Sequence, residues 1–282
     1  MKIIVVGLGK IGRTIMKILS TDDHDIIAID NNPDVVATVS NSYDVLALCA
    51  EGTHLDVLKG IGACDCDVFI AATSSDEMNI VSCFLAKRLG AKHTVARFNR
   101  VELTKLNIGF LRKELELSLI INPYQLTAHH ISDILKGKPV SRNVMILGAS
   151  KTGRFLLKDL ALSAGQITII EKSEDSCEKM LEVLPRNARL ICADGTEQAV
   201  LEEEQIDNMD AFVSLAGMDE ENILVSCYAL SRNVPRVITK VNMDGYSQIT
   251  ESLGLEHVIS PKDITADIVK HFVDDIKESR GK

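Results

Sequence analysis

Short runs of Val, Ile and Leu alternate with amphipathic stretches along the chain, and the whole alternation occurs twice. Lys2-Ile3-Ile4-Val5-Val6 predicts a buried strand, and Ile15, Met16, Ile18 and Leu19 behind it fall on one helical face. Residues 25–29, 45–49, 68–72, 94–97 and 119–121 continue the series as strands. The second half repeats it at 144–147, 167–170, 190–192, 212–216, 237–241 and 258–259. Continuous apolar strands separated by helical segments are covered on both faces, which is the pattern of a parallel sheet with helices on either side. The predicted fold class is therefore α/β, with two tandem Rossmann-like doubly wound parallel-sheet domains. Gly137-Lys138-Pro139-Val140 is a short Gly/Pro break, and it sets the domains at 1–139 and 140–282.

The turn after each half's first strand carries the chemistry. In Gly7-Leu8-Gly9-Lys10-Ile11-Gly12 the first glycine permits a tight turn, the second lets backbone approach a pyrophosphate, and the third lets helix pack on strand. Phosphate would then sit on the helix N-terminus, where free N–H groups and the helix dipole favour negative charge. The second strand ends at Asp30, the distance at which a carboxylate meets ribose hydroxyls. A plain glycine turn followed by a helix-capping Asp is the competing reading. Gly148-Ala149-Ser150-Lys151-Thr152-Gly153 repeats the pattern and Glu171 takes the place of Asp30. Ser150 replaces the middle glycine and stands where the pyrophosphate would pass, so this half is expected to be a weaker or differently occupied site, or only a structural one.

The register extends well past the turn. Cys49-Ala50-Glu51-Gly52-Thr53 matches Cys192-Ala193-Asp194-Gly195-Thr196, Asp76-Glu77-Met78-Asn79 matches Asp219-Glu220-Glu221-Asn222, and Arg97 matches Lys240. Pro123, Thr127 and Ala128 correspond to Pro261, Thr265 and Ala266. Lys10 and Arg13 recur as Lys151 and Arg154, basic residues at each turn. The chain is two homologous halves.

Composition narrows the function. A net charge of −9 argues against nucleic acid as a partner. No apolar run approaches the ~20 residues of a membrane span and no leader precedes the first strand, so the expectation is a cytosolic protein without direct membrane insertion. The seven cysteines lie mostly within strand and helix patterns, as reduced buried thiols do, and Cys64-Asp65-Cys66 reads as a loop rather than a metal site. His129-His130 lies in a helical stretch. Ser82-Cys83 and Ser226-Cys227 have no nucleophile-elbow glycines around them. No catalytic or metal-ligating residue is assigned.

Taken together, Gly7-Leu8-Gly9-Lys10-Ile11-Gly12, Asp30, Glu51-Gly52-Thr53, Thr73-Ser74-Ser75-Asp76-Glu77-Met78-Asn79, Arg97 and Ile121-Asn122-Pro123 resemble the RCK N-terminal (TrkA-N) domain family, which regulates potassium channels and transporters. The tandem arrangement is similar to that of the regulatory subunit of bacterial Trk potassium uptake. The resemblance implies that Gly7, Leu8, Gly9, Lys10, Ile11 and Gly12 hold phosphates, that Asp30 holds the adenosine ribose, and that Glu51, where the family usually has Asp, contacts adenine. It places Thr73, Ser74 and Arg97 at the ligand edge of the sheet; for Arg97 an ordinary surface salt bridge is the alternative. Gly148, Ala149, Ser150, Lys151, Thr152, Gly153, Glu171 and Asp194 are the counterparts in the second half. The implied cofactor is NAD(H), with ATP or ADP as further ligands. The implied partner is a TrkH-like membrane potassium channel or transporter subunit, reached from the cytoplasmic face by a homo-oligomer. In the family a C-terminal lobe follows each such domain, and the short stretch between Lys136 and Val144 leads us to expect that lobe to be missing here. An NAD-dependent oxidoreductase is the alternative from another class, and it would need a substrate domain and a proton donor. A regulatory module of another cation transporter is a third reading.

Overall fold

A computed structural model describes residues 1–100 and 105–280. The first series of elements is β1 (Lys2–Val6), α1 (Lys10–Leu19), β2 (Asp25–Asp30), α2 (Pro33–Ser42), β3 (Leu46–Cys49), α3 (Leu55–Gly60), β4 (Val68–Ala71), α4 (Asp76–Leu89), β5 (His93–Arg97), α5 (Lys105–Glu114) and β6 (Leu119–Ile121). Helix α6 (Pro123–Lys136) follows. The second series is β7 (Asn143–Leu147), α7 (Lys151–Leu160), β8 (Gln166–Glu171), α8 (Glu174–Leu181), β9 (Ala188–Cys192), α9 (Gln198–Glu203), β10 (Ala211–Ser214), α10 (Asp219–Ser231), β11 (Val237–Lys240), α11 (Ser247–Ser252), β12 (His257–Ile259) and α12 (Pro261–Arg280).

Each series forms one six-stranded sheet with parallel pairings throughout, in the orders β3-β2-β1-β4-β5-β6 and β9-β8-β7-β10-β11-β12. The order reverses beside β1 and beside β7. Val6 there pairs with Ile29 on one side and Ala71 on the other, and Leu147 pairs with Ile170 and Ser214. Connections leave these two strands in opposite directions, so a crevice opens at their carboxyl ends, where each glycine turn begins. Ile3, Ile4, Val5, Phe69 and Ile70 are fully buried, as are Met145, Ile146, Phe212 and Val213, because helices cover both faces. That is why these strands read as unbroken apolar runs.

The strand expected over 212–216 ends at Ser214. Beyond it the Ala216 N–H leaves the ladder and donates to Asn222 Oδ1 at 2.8 Å.

By packing, the chain divides into one unit of Met1–Pro123 with Lys262–Lys282 and another of Tyr124–Pro261. The repeat boundary at 139/140 is therefore not the packing boundary: α6 belongs with the second sheet and α12 with the first. In the second unit α6 buries Ala128, Ile131 and Leu135, and His129 Nδ1 sits 2.7 Å from Asp159 on α7. Arg236 donates to the Pro139 carbonyl at 3.1 Å and to Ser141 Oγ at 2.8 Å. In the first unit α12 buries Ala266, Val269 and Val273, and Phe272 meets the His93 ring edge-on at 6.1 Å. The Gly/Pro composition of 137–140 marks where the backbone turns, whereas the apolar faces of α6 and α12 decide what each helix covers.

Lys270 on α12 also donates to the Asp22 carboxylate, and that hydrogen bond holds the Asp22 pKa below its ordinary value. A depressed carboxylate stabilises the fold above the unfolded pKa and stops doing so as pH falls through the native value. Both side chains are about a third exposed, so Asp22→Asn is expected to cost no more than ~1 kcal/mol at neutral pH. The difference from wild type should shrink as the pH falls through and below the ordinary aspartate range, as urea unfolding at neutral and acid pH will show. A deficit that persists undiminished in acid would contradict the ion-pair origin.

Candidate functional site

Each glycine of the first turn meets a different steric demand. Gly7 adopts φ +89°, and a Cβ there would lie 2.6 Å from the Thr73 nitrogen. Gly12 is closed more tightly, since its Cβ would fall 1.8 Å from the Gly7 carbonyl oxygen. Gly9 differs from both: it is extended at φ −64° and ψ −174°, it is exposed, and a Cβ there would meet nothing within 4 Å. No side chain caps α1 at this point. The first turn of a helix has N–H groups without intrahelical partners, so the start of α1 faces open space with donors and a positive dipole end.

Asp30 is docked onto the same turn. Its Oδ2 accepts from the Leu8 N–H at 2.6 Å and its Oδ1 from the Asn32 N–H at 2.9 Å. An ionised carboxylate has roughly four acceptor positions, so two backbone donors leave room for a pair of vicinal hydroxyls. The glycine turn and the Asp30 carboxylate are thereby fixed to each other through one backbone N–H.

The second turn keeps this frame and changes one donor. Gly148 has φ +97°, Ala149 N–H donates to Glu171 Oε2 at 2.7 Å, and Ser173 N–H donates to Oε1 at 2.8 Å. The longer glutamate reaches the same two backbone positions as Asp30. Ser150 has nearly the backbone of Gly9, at φ −66° and ψ 168°, but its Oγ folds back and accepts from the Gly153 N–H at 3.3 Å. It is a helix N-cap, and it occupies a donor that α1 leaves uncapped. Packing is looser here too, because a Cβ on Gly153 would stand 3.2 Å from the Gly148 carbonyl. Thr152 is buried, and the Lys151 ammonium lies over the Tyr124 ring at 5.3 Å.

At the neighbouring carboxyl edge, Thr73 Oγ1 donates to Asn79 Oδ1 at 2.7 Å and the Thr73 N–H donates to the same oxygen at 2.9 Å. Asn79 Nδ2 in turn donates to the Arg97 carbonyl at 2.9 Å. Arg97 directs Nη1 at the Ala72 and Thr73 carbonyls, both at 3.4 Å, and Nη2 at Asn99 Oδ1 at 2.8 Å. Ser74 is exposed beside them, its carbonyl accepting from Asn99 Nδ2. The second unit reproduces this with Asn222 and Lys240, whose Nζ donates to the Ala216 carbonyl at 2.8 Å and whose pKa is pushed down by burial. Glu51, past the end of β3, is exposed with Oε2 3.1 Å from His54 Nε2. Its counterpart Asp194 accepts from the Thr196 N–H and Oγ1, which lower its pKa.

The structure therefore brings Gly7 to Gly12, Asp30, Thr73, Ser74 and Arg97 to one crevice edge. The sequence analysis named Asn79 and Asn222 as matching positions of the repeat, and Asn79 within the family-like motif, without assigning either a role. Both are fully buried, and each ties the end of one strand to the end of the next. The signal was a lone amide on the first turn of a helix that follows a buried strand.

The family model described as the TrkA-N domain matches the chain twice, at residues 3–123 and 144–261. The Trk system potassium uptake protein TrkA of Vibrio alginolyticus is 23% identical, the alignment covering 94% of this chain and 77% of that protein. Among solved structures, the GsuK channel bound to NAD superposes with a TM-score of 0.78 at 14% identity, covering 99% of this chain and 64% of that one. GsuK bound to ADP gives 0.77 at 16%, covering 97% and 69%.

Proposed function

Because the chain belongs to the TrkA-N domain family and carries two copies in tandem, we propose that it is the nucleotide-binding regulatory subunit of a potassium uptake system. NAD(H) and the adenine nucleotides ADP and ATP are its ligands, and a membrane potassium-conducting subunit is its partner. The observation that carries this reading is the docking of Asp30 on the glycine turn, which presents a hydroxyl acceptor and an open phosphate cradle in one rigid piece. Gly7 to Gly12 hold the phosphates, Asp30 the adenosine ribose and Glu51 the adenine, with Thr73, Ser74 and Arg97 at the far edge of the ligand. A bound nicotinamide dinucleotide could supply hydride chemistry. In this reading it acts as a signal, which the residues around the turn bind and orient.

A ligand shifts a protein only by binding two conformations with different affinity. The homo-oligomer is thus proposed to take a different arrangement when the turns are filled, and the membrane partner reads that arrangement from the cytoplasmic side. The binding step is tested by titration calorimetry on the whole chain. NADH is expected to bind at least about tenfold more tightly than NADPH, since a 2′-phosphate beside the Asp30 carboxylate meets like charge, and a factor of ten is ~1.4 kcal/mol. Asp30→Ala should remove most of the preference. Equal or tighter binding of NADPH would overturn the ribose assignment.

A further inference from the structure

The second unit holds a pair of thiols that nucleotide binding does not use. Cys192 ends β9, is exposed, and pairs across the sheet with Glu171 at the end of β8. Cys177 lies in the first turns of α8, is buried, and its thiol donates to the Glu171 carbonyl at 3.5 Å. Both residues thus converge on Glu171, Cys192 from the neighbouring strand and Cys177 from the covering helix, and the Cys192 thiol is close enough to bear on the ionisation of Cys177. Glu171 is the carboxylate that carries the second glycine turn through the Ala149 N–H. The first repeat has no such pair. Cys49 stands at the position of Cys192, pairs with Asp30, and directs its thiol to the Asn31 carbonyl at 3.7 Å, but Val36 occupies the position that matches Cys177.

We propose that Cys177 and Cys192 are a redox-modification site that closes to a disulfide when the protein meets a hydroperoxide. Exposure decides the order of events. The Cys192 thiolate attacks a peroxide oxygen; the O–O bond breaks, a sulfenic acid forms, and the departing hydroxide or alkoxide takes up a proton. Cys177, whose thiol burial pushes up to about 12, is a poor first nucleophile and serves as the resolving thiol. Its sulfur attacks the Cys192 sulfur, the S–S bond forms as the S–O bond breaks, and the leaving hydroxide carries off the Cys177 proton as water. With hydrogen peroxide the sum is two thiols oxidised and one peroxide reduced to two waters. The closed disulfide pins α8 to β9 directly over Glu171.

The test uses the whole reduced chain with hydrogen peroxide as the probe, followed by denaturation, alkylation, digestion and mass spectrometry. The expected result is the loss of two of the seven alkylatable thiols, both recovered in a peptide joining Cys177 to Cys192 and restored by dithiothreitol. Cys177→Ser should stop at a sulfenic acid on Cys192 that dimedone traps. Cys192→Ser should leave Cys177 alkylatable after the same treatment. A disulfide drawn from Cys49 or Cys64 instead, a link between two chains through Cys192, or wild-type Cys192 driven past the sulfenic acid while Cys177 stays free would each overturn the proposal.

Discussion

Alanine at Gly12 is expected to destabilise the first unit by about 3 kcal/mol or more, whereas alanine at the matching Gly153 should leave the second unit within about 1 kcal/mol of wild type. Both glycines sit inside the first turn of a helix, where alanine by itself is better by roughly 0.5–1 kcal/mol. The difference lies in what the methyl group meets. At Gly12 it would stand 1.8 Å from the Gly7 carbonyl oxygen, a backbone atom of a turn that Gly7 holds at positive φ and that Asp30 holds at Leu8. The turn or the helix must move as a whole. At Gly153 the same carbonyl is 3.2 Å away, and a shift of a few tenths of an ångström relieves it. Urea unfolding of the two variants, followed by probes in each unit, measures the contrast. Equal effects would mean that the two turns are packed alike.

Ser150→Gly is expected to tighten nucleotide binding at the second turn by about tenfold while costing only a few tenths of a kcal/mol in stability. The serine hydroxyl now takes the Gly153 N–H. Removing it frees a helix-start donor for a phosphate, and a hydrogen bond to a charged group contributes ~1.5–3 kcal/mol. Glycine is itself an acceptable N-cap backbone, so the helix loses little. The measurement needs the whole chain, because a fragment beginning at 140 would lack α6, which packs in this unit. Calorimetry compares Ser150→Gly with wild type, the first turn being identical in the two chains. Unchanged affinity would show that Ser150 is not what separates the two sites.

The fold was legible because it is written in spacing. Apolar runs, glycine turns and the acids at Asp30 and Glu171 recur in one register, and strand ends moved by only a residue or two when hydrogen bonds such as that from Ala216 to Asn222 took over from the ladder. What spacing does not contain is the direction of a side chain. Ser150 read as an obstacle to phosphate because its position was known and its rotamer was not; in the structure it caps its own helix. The exchange of α6 and α12 was hidden for a related reason. An amphipathic stretch announces that one face will be buried, but which sheet it covers is a long-range contact, and residues 137–140 pointed to the backbone break instead. The role of Asn79 and Asn222 was not in the spacing either, since burial of a satisfied amide depends on strands far away in sequence.

Potassium flux into proteoliposomes that hold the membrane potassium-conducting partner, recorded with and without this protein across NADH, ADP and ATP concentrations, joins the nucleotide turns to potassium uptake in one experiment. Flux should depend on nucleotide only when the protein is present, and Asp30→Ala should move or abolish that dependence. Flux that is the same with and without the protein, at every nucleotide concentration, would contradict a regulatory role for the two turns.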